Sequence, residues 1–281
     1  MGLLRKKEDK ELRAVVRGAE TPHFPAVTLR ILKELRDPDV CFERVAECLQ
    51  WDAGLVVRVL RTVNSAAYGV SRRIDDVRHA IGFMGRSQLE QIVLAIAVKD
   101  SLPSAPARGF RAERFWRAAA FRAALARAFA DELHPARNAE AFTTGLLQDV
   151  AVPVLAHARP DDYGDVLEAW HGGEPGGLEE LERRTFGWSH DRVGALLGRS
   201  WELPEPLVAG IELHHADERT DREVLPAVRL VARLRETEDE HGLEALIEHA
   251  RGDYGLDPDW TRAAVADCRE AAVELAGTLA A

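Results

Sequence analysis

Apolar residues recur along this chain at intervals of three and four, the spacing of one helix face, and nowhere alternate for long enough to read as a strand. In the first half, Val27, Leu29, Ile31, Leu32 and Leu35 predict a helix over 26–36, which Asp37-Pro38-Asp39 ends. Phe42, Val45, Ala46 and Leu49 mark a second over 42–49, and Asp52 is placed to cap a third that carries Leu55, Val56, Val59, Leu60 and Val63. A short helix from Asp75 or Asp76 to Phe83 closes near Gly82 or Gly85. Ser87 and Glu90 then form a capping box ahead of the apolar run Ile92 to Val98. A charged amphipathic helix is expected over 3–19.

The second half continues in the same way. An Ala-rich helix over 111–133 stops before Pro135, and one over 138–152 carries Phe142, Leu146, Leu147 and Val150. The segment 160–170 follows, then a loop marked by Gly172, Gly173, Pro175, Gly176 and Gly177. Helices are expected near 178–186, 190–200, 204–215 and 222–238, with a last one from Trp260 to Leu279. Connections are short, as in compact helical packing. A Ser-, Pro- and Ala-rich stretch over 100–109 reads as a junction. The expected layout is an N-terminal charged helix (1–20), a helical subdomain (21–106) and a second helical subdomain with the C-terminal helix (107–281), all-α throughout.

Composition narrows the function. The chain has 281 residues, 46% of them hydrophobic and 30% charged, enough for a full core. Its formal net charge of −10 argues against DNA or other non-specific polyanion binding. No segment approaches the length of a membrane span, so a cytoplasmic location is expected. Cys41, Cys48 and Cys268 are odd in number and widely spaced, which suits small apolar residues in a reducing compartment rather than a disulfide framework. Cys41 and Cys48 lie seven apart, a spacing that could put both on one helix face. Arg58, Arg61, Arg72, Arg73, Arg78 and Arg86 gather positive charge around Asn64-Ser65 and Tyr68-Gly69. Such a run is ordinarily a solvated face; the sharper reading is a surface for an acidic partner or a nucleotide phosphate. No Gly-rich phosphate loop, Cys-x-x-Cys pair or Ser/His/Asp motif is present.

Several stretches resemble the HDOD domain: FPAVTLRILKELRDPD (24–39), QWDAGLVVRVLRTVNSAAYG (50–69), IDDVRHAIGFMGRSQLEQIVLAIAV (74–98), AFTTGLLQDVAVPVLAH (141–157) and TFGWSHDRVGALLGRSWELPEPLVAGIELHH (185–215). Together they cover roughly residues 20–240. The resemblance implies a multi-helical fold: an N-terminal helical subdomain packed on a degenerate relative of the HD phosphohydrolase bundle. It also implies a part in bacterial signal transduction. HD enzymes hold one or two divalent metals with a His, a His-Asp pair, further histidines and a closing Asp. Here the His of the pair is Gln148, although Asp149 remains. The first His would fall near Ala118 and the closing Asp near Ala232, while His190, His214 and His215 survive. A neutral amide is a weak metal donor.

The expectation is therefore a pseudo-enzyme without catalytic residues, metal or cofactor. Its vestigial cleft would be made of Gln148, Asp149, His190, His214 and His215, and it would act by binding signalling proteins under the control of a small ligand. A residual metal-dependent phosphohydrolase on a nucleotide or cyclic dinucleotide, and a nucleotide-sensing module, are the alternatives. Metal would require Asp149 and the histidines to converge. Asp149, on an otherwise apolar helix face, reads first as a buried carboxylate paired with a His or Arg. His214 and His215, about 100° apart on a helix, would let at most one face a cleft easily. His190 would follow an N-cap at Ser189. Asn64, Ser65, Tyr68 and Gly69 read first as structural, closing a helix end and a tight turn.

Overall fold

The computed structural model describes residue 12 and residues 26–37, 39–65, 68, 70–103, 105–216, 224–235 and 240–280. Most of the expected helix over 3–19, and Gly69, lie outside them; Leu12 is buried in the core. Among the described residues there are helices and turns and no strand, as an all-α fold requires.

The first half is built of α1 (Ala26–Arg36), α2 (Phe42–Leu49), α3 (Ala53–Val63) and α4 (Val77–Ser101), with the first three packed against the long α4. Local chemistry sets the boundaries. Asp52 caps α3 by accepting from the Leu55 amide (2.9 Å), and Asp76 caps α4 by accepting from the His79 amide (3.1 Å). The two helices expected around residue 85 are one element broken at Gly85, whose φ of 77° interrupts the helix two residues before Ser87. The proposed capping box thus falls inside the second segment. Cys41 and Cys48 do not share a helix face: Cys41 is exposed and precedes α2 as its N-cap, while Cys48 is buried within the helix.

The asparagine of the N-S-A-x-Y-G block is structural. Its Nδ2 donates to the carbonyls of Leu60 (2.7 Å) and Ile74 (2.6 Å), and its Oδ1 accepts from the Ile74 amide (2.7 Å). Asn64 thereby closes α3 and pins the returning stretch of chain with one side chain. Ser65 donates to Thr62 O (2.7 Å). Tyr68 is buried edge-on to Phe142, under the Arg127 guanidinium at 4.2 Å, and so ties this block to the second half. The neighbouring arginines are more dispersed: Arg58 pairs with Asp100, Arg61 and Arg73 share a groove, and Arg72 and Arg78 are exposed.

The second half comprises α5 (Ala112–Leu133), a 3₁₀ turn (Pro135–Arg137), α6 (Asn138–Leu147), α7 (Ala151–Ala158), α8 (Asp162–His171), α9 (Leu178–Phe186), α10 (His190–Ser200), α11 (Glu205–Leu213), α12 (Pro226–Ala232), α13 (Glu240–Tyr254) and α14 (Pro258–Ala280). Helix α5 is the hub and touches α6, α12 and α14. Its buried stripe runs Phe115, Ala118, Ala119, Arg122, Leu125, Ala126, Phe129, a helical repeat in which one residue is charged. The helix α13 was not expected from the pattern.

Two boundaries in this half position the site. The helix expected over 138–152 is two helices, with Gln148, Asp149 and Val150 in the turn between them. The helix expected over 204–215 ends at Leu213, leaving His214 and His215 in the turn beyond it.

Candidate functional site

Asp149 is the centre of a cleft of about 640 Å³. Because it stands in the turn between α6 and α7, and not on a helix face as expected, its carboxylate is presented to three other elements. From α5, Arg122 donates to Oδ2 (2.7 Å). His190 Nε2 and His214 Nε2 each lie 3.3 Å from Oδ1. The expected pairing of Asp149 with a His or Arg is present, to both kinds of partner at once.

The histidines converge. His190 Nε2 lies 3.4 Å from His214 Nε2 and 3.3 Å from His215 Nε2. One ligand atom from each histidine and one from Asp149 all fall within 4.8 Å of one another. The expectation that only one of His214 and His215 faces the cleft is corrected. Both line it, from the turn just past the end of α11. Gln148, in contrast, is buried, is not among the residues lining the cleft, and finds no hydrogen-bond partner for its amide. Sequence adjacency to Asp149 does not make it part of the site.

Two of the three histidines, His190 and His214, are aimed by their other ring nitrogen. His190 Nδ1 donates to Glu182 Oε2 (2.7 Å), which also accepts from the His190 backbone amide (2.8 Å). That carboxylate, rather than the Ser189 side chain, caps the start of α10, where a negative charge is favoured. Glu182 is fully buried, and its second oxygen accepts from Tyr163 OH (2.5 Å). His214 Nδ1 donates to Ile211 O (2.7 Å).

Charge follows this geometry. Burial opposes ionisation of Asp149, but Arg122, His190 and His214 outweigh it and hold the carboxyl well below its usual range. Burial likewise works against protonation of His190, yet the carboxylates of Glu182 and Asp149 raise its pKa well above the ordinary value. His215 goes the other way, lowered by burial and by the other two imidazoles.

The rest of the cleft is basic on one side. Arg122, Arg229, Arg233 and Arg235 line it, with Trp170 and, as acids, Glu179 and Asp253. Arg233 donates to His249 Nε2 (3.2 Å), His249 contacts Asp253 (3.1 Å), and Arg235 donates to Gly176 O (2.8 Å). Arg122 also donates from its second Nη to Leu234 O (2.6 Å), joining this wall to Asp149. Ala232 lines the cleft, as the resemblance implies, but Ala118 does not; Arg122, one turn further along α5, does.

Sequence reading missed Arg122, Glu182 and Arg229. The signal for the first two was present. Glu182 is four residues from Leu178 on the buried face of α9, and Arg122 sits in the stripe of α5; a charge on an apolar face calls for a partner.

An all-helical body with a histidine–aspartate cleft of this kind is HD-like. The sequence profile of the HDOD domain matches residues 21–217, and the chain belongs to that family. It is 27% identical over 216 residues to an uncharacterised protein of Treponema pallidum (strain Nichols), a match covering 76% of this chain and 41% of the other. The chain thus spans about two fifths of that curated relative's length. Among solved structures it is similar to a Shewanella amazonensis SB2B protein named as a phosphohydrolase (TM-score 0.74, 22% identity, 95% of this chain and 98% of the other). It is also similar to a Marinobacter aquaeolei VT8 protein named for signal transduction (TM-score 0.73, 16% identity, 98% of this chain and 66% of the other). At these identities the likeness is one of fold.

The divalent metals of HD enzymes can be tested against these residues. Three imidazole nitrogens and one carboxylate oxygen are a fitting donor set for one borderline divalent ion. For a second ion the residues do not fit: Ala118 and Ala232 supply no donor, Gln148 offers only a weak amide oxygen and does not line the cleft, and Asp149 Oδ2 is taken by Arg122.

Proposed function

We propose that this chain is a signalling module that binds rather than turns over. A phosphate-bearing small ligand of the nucleotide or cyclic-dinucleotide class would seat in the cleft and set its engagement of a partner protein. The observation that carries the reading is the wall formed by Arg229, Arg233 and Arg235 beside the histidine cluster. Guanidinium groups match phosphate oxygens by paired hydrogen bonds, and a partly enclosed site strengthens them. Family membership and the name of the Marinobacter protein support the signalling role. The absence of donors at residues 118 and 232, and the weak amide of Gln148 set off the cleft, weigh against hydrolysis, which in two-ion sites needs both attacking and leaving oxygens held.

A thermal-shift screen of the full chain against mono-, di- and cyclic dinucleotides tests the reading, run beside a phosphodiesterase assay with Mn²⁺, Fe²⁺ and Mg²⁺. The expected outcome is a rise in Tm of about 5 °C or more at a hundredfold excess over Kd for one ligand class. That rise should be lost in Arg229→Ala, with no turnover. Silence across all nucleotides would remove the ligand. A second reading, a residual one-ion phosphohydrolase, is favoured by the convergence of Asp149 with three histidines. Turnover abolished by Asp149→Ala would put it first.

A further inference from the structure

We propose that Asp149, His190, His214 and His215 form a one-ion site in which Arg122 stands where a second cation would be, and that Glu182 is the residue that aims it. This holds whether or not the cleft takes an anion.

Hydrogen-bond partners on Nδ1 decide where the protons of two of the rings sit. Ile211 O can only accept, so His214 carries its proton on Nδ1. Glu182 accepts three hydrogen bonds through its two oxygens, one of them from His190 Nδ1, so that nitrogen carries its proton too. In the neutral rings both Nε2 lone pairs therefore point inward, toward each other at 3.4 Å and toward Asp149 Oδ1 at 3.3 Å. Three acceptors face one another around a common centre, with His215 Nε2 3.3 Å from one of them. A proton can relieve one pair at a time. A divalent ion at the centre relieves all of them.

Four of the donor separations, at 3.3–3.4 Å, fit such an ion, and those from His215 to Asp149 and to His214 lie within 4.8 Å. Bonds of about 2.0–2.2 Å in a tetrahedron separate the donors by about 3.3–3.6 Å. Second partners on Nδ1 are the usual means of orienting metal-binding histidines, and His190 and His214 have them in Glu182 and Ile211 O. Arg122 limits the count. It holds Asp149 Oδ2 from a buried position on α5, so only Oδ1 is left to the ion, and its fixed charge repels a second cation beside that carboxylate.

The test is metal stoichiometry on the full chain, stripped with chelator, loaded with Zn²⁺ or Co²⁺ and desalted. The expected result is about one equivalent per chain. With Co²⁺ this should come with visible absorption of tetrahedral type. His214→Ala should lose the ion. Glu182→Gln, which keeps the side chain's size, should weaken it by about 10- to 100-fold while circular dichroism stays unchanged. Less than about a tenth of an equivalent, two equivalents, or one equivalent kept undiminished by both His214→Ala and Asp149→Ala would each overturn the proposal. If His214→Ala fails to fold, the Glu182→Gln affinity decides: no weakening removes the role given to Glu182.

Discussion

Asp149 meets a positive or protonatable group at each oxygen, and that arrangement ties the site to stability. Its folded pKa lies well below the unfolded value of about 3.9, so its ionised form stabilises the fold above that pH. The contribution falls away as pH drops toward the folded value. In chelator-treated protein, Asp149→Asn should be strongly destabilised at neutral pH, by about 3–5 kcal/mol, because Arg122 is left buried with one charge uncompensated. The gap to wild type should then narrow as pH falls below about 4; urea unfolding at a series of pH values measures it, and a gap constant with pH would refute the linkage. The motif letters named Asp149, His190, His214 and His215, but not how they sit. That depended on two helix ends, at Leu147 and Leu213, which apolar periodicity does not mark: the residues just past each end still fall in helical register. Gln148 was misjudged because it keeps helical φ and ψ at the end of α6, which turns its side chain into the core about 100° from that of Asp149.

At the scale of elements, close packing of α5 on α6 brings Arg122 within reach of Asp149. Gly145 makes that approach. A Cβ there would lie 2.9 Å from Arg122 O and 3.0 Å from Ala126 Cβ, and one of those contacts is backbone that cannot give. Gly145→Ala should therefore destabilise by about 1–3 kcal/mol. Gly252, exposed in α13 with nothing within 4 Å of where a Cβ would stand, should respond in the opposite sense, with Gly252→Ala stabilising by about 0.4–1 kcal/mol. Denaturant midpoints of the two variants check the contrast; equal effects would show that propensity, not the helix seam, governs both. Most helices were legible from the 3.6-residue repeat with caps such as Asp52 and Asp76. Helix α13 was not, since its sequence EHGLEALIEHARGDY is sparse in apolar residues and carries two glycine-associated stop signals.

Over the whole molecule, one continuous core runs from Leu12 and Ile31 through Phe142 to Leu275. Helix α14 packs on α5 and also reaches α3, and α4 touches α6, so the junction over 100–109 separates stretches of sequence more than bodies. The protein should unfold in one transition, with helix content, which both halves carry, and emission of the tryptophans, five of which stand in the second half, changing together. Two separate transitions would mean that the halves fold apart. The same connectivity bears on how the cleft comes into being during synthesis. Arg122 finds its second partner at Leu234, 112 residues later. At about 5–20 residues per second, the ribosome takes about 6–22 s to supply it. Through that interval a guanidinium lies on the apolar stripe of α5 with its final setting unfinished, so the cleft is among the last parts of a newborn chain to take shape, and a stalled or truncated product would be born without it.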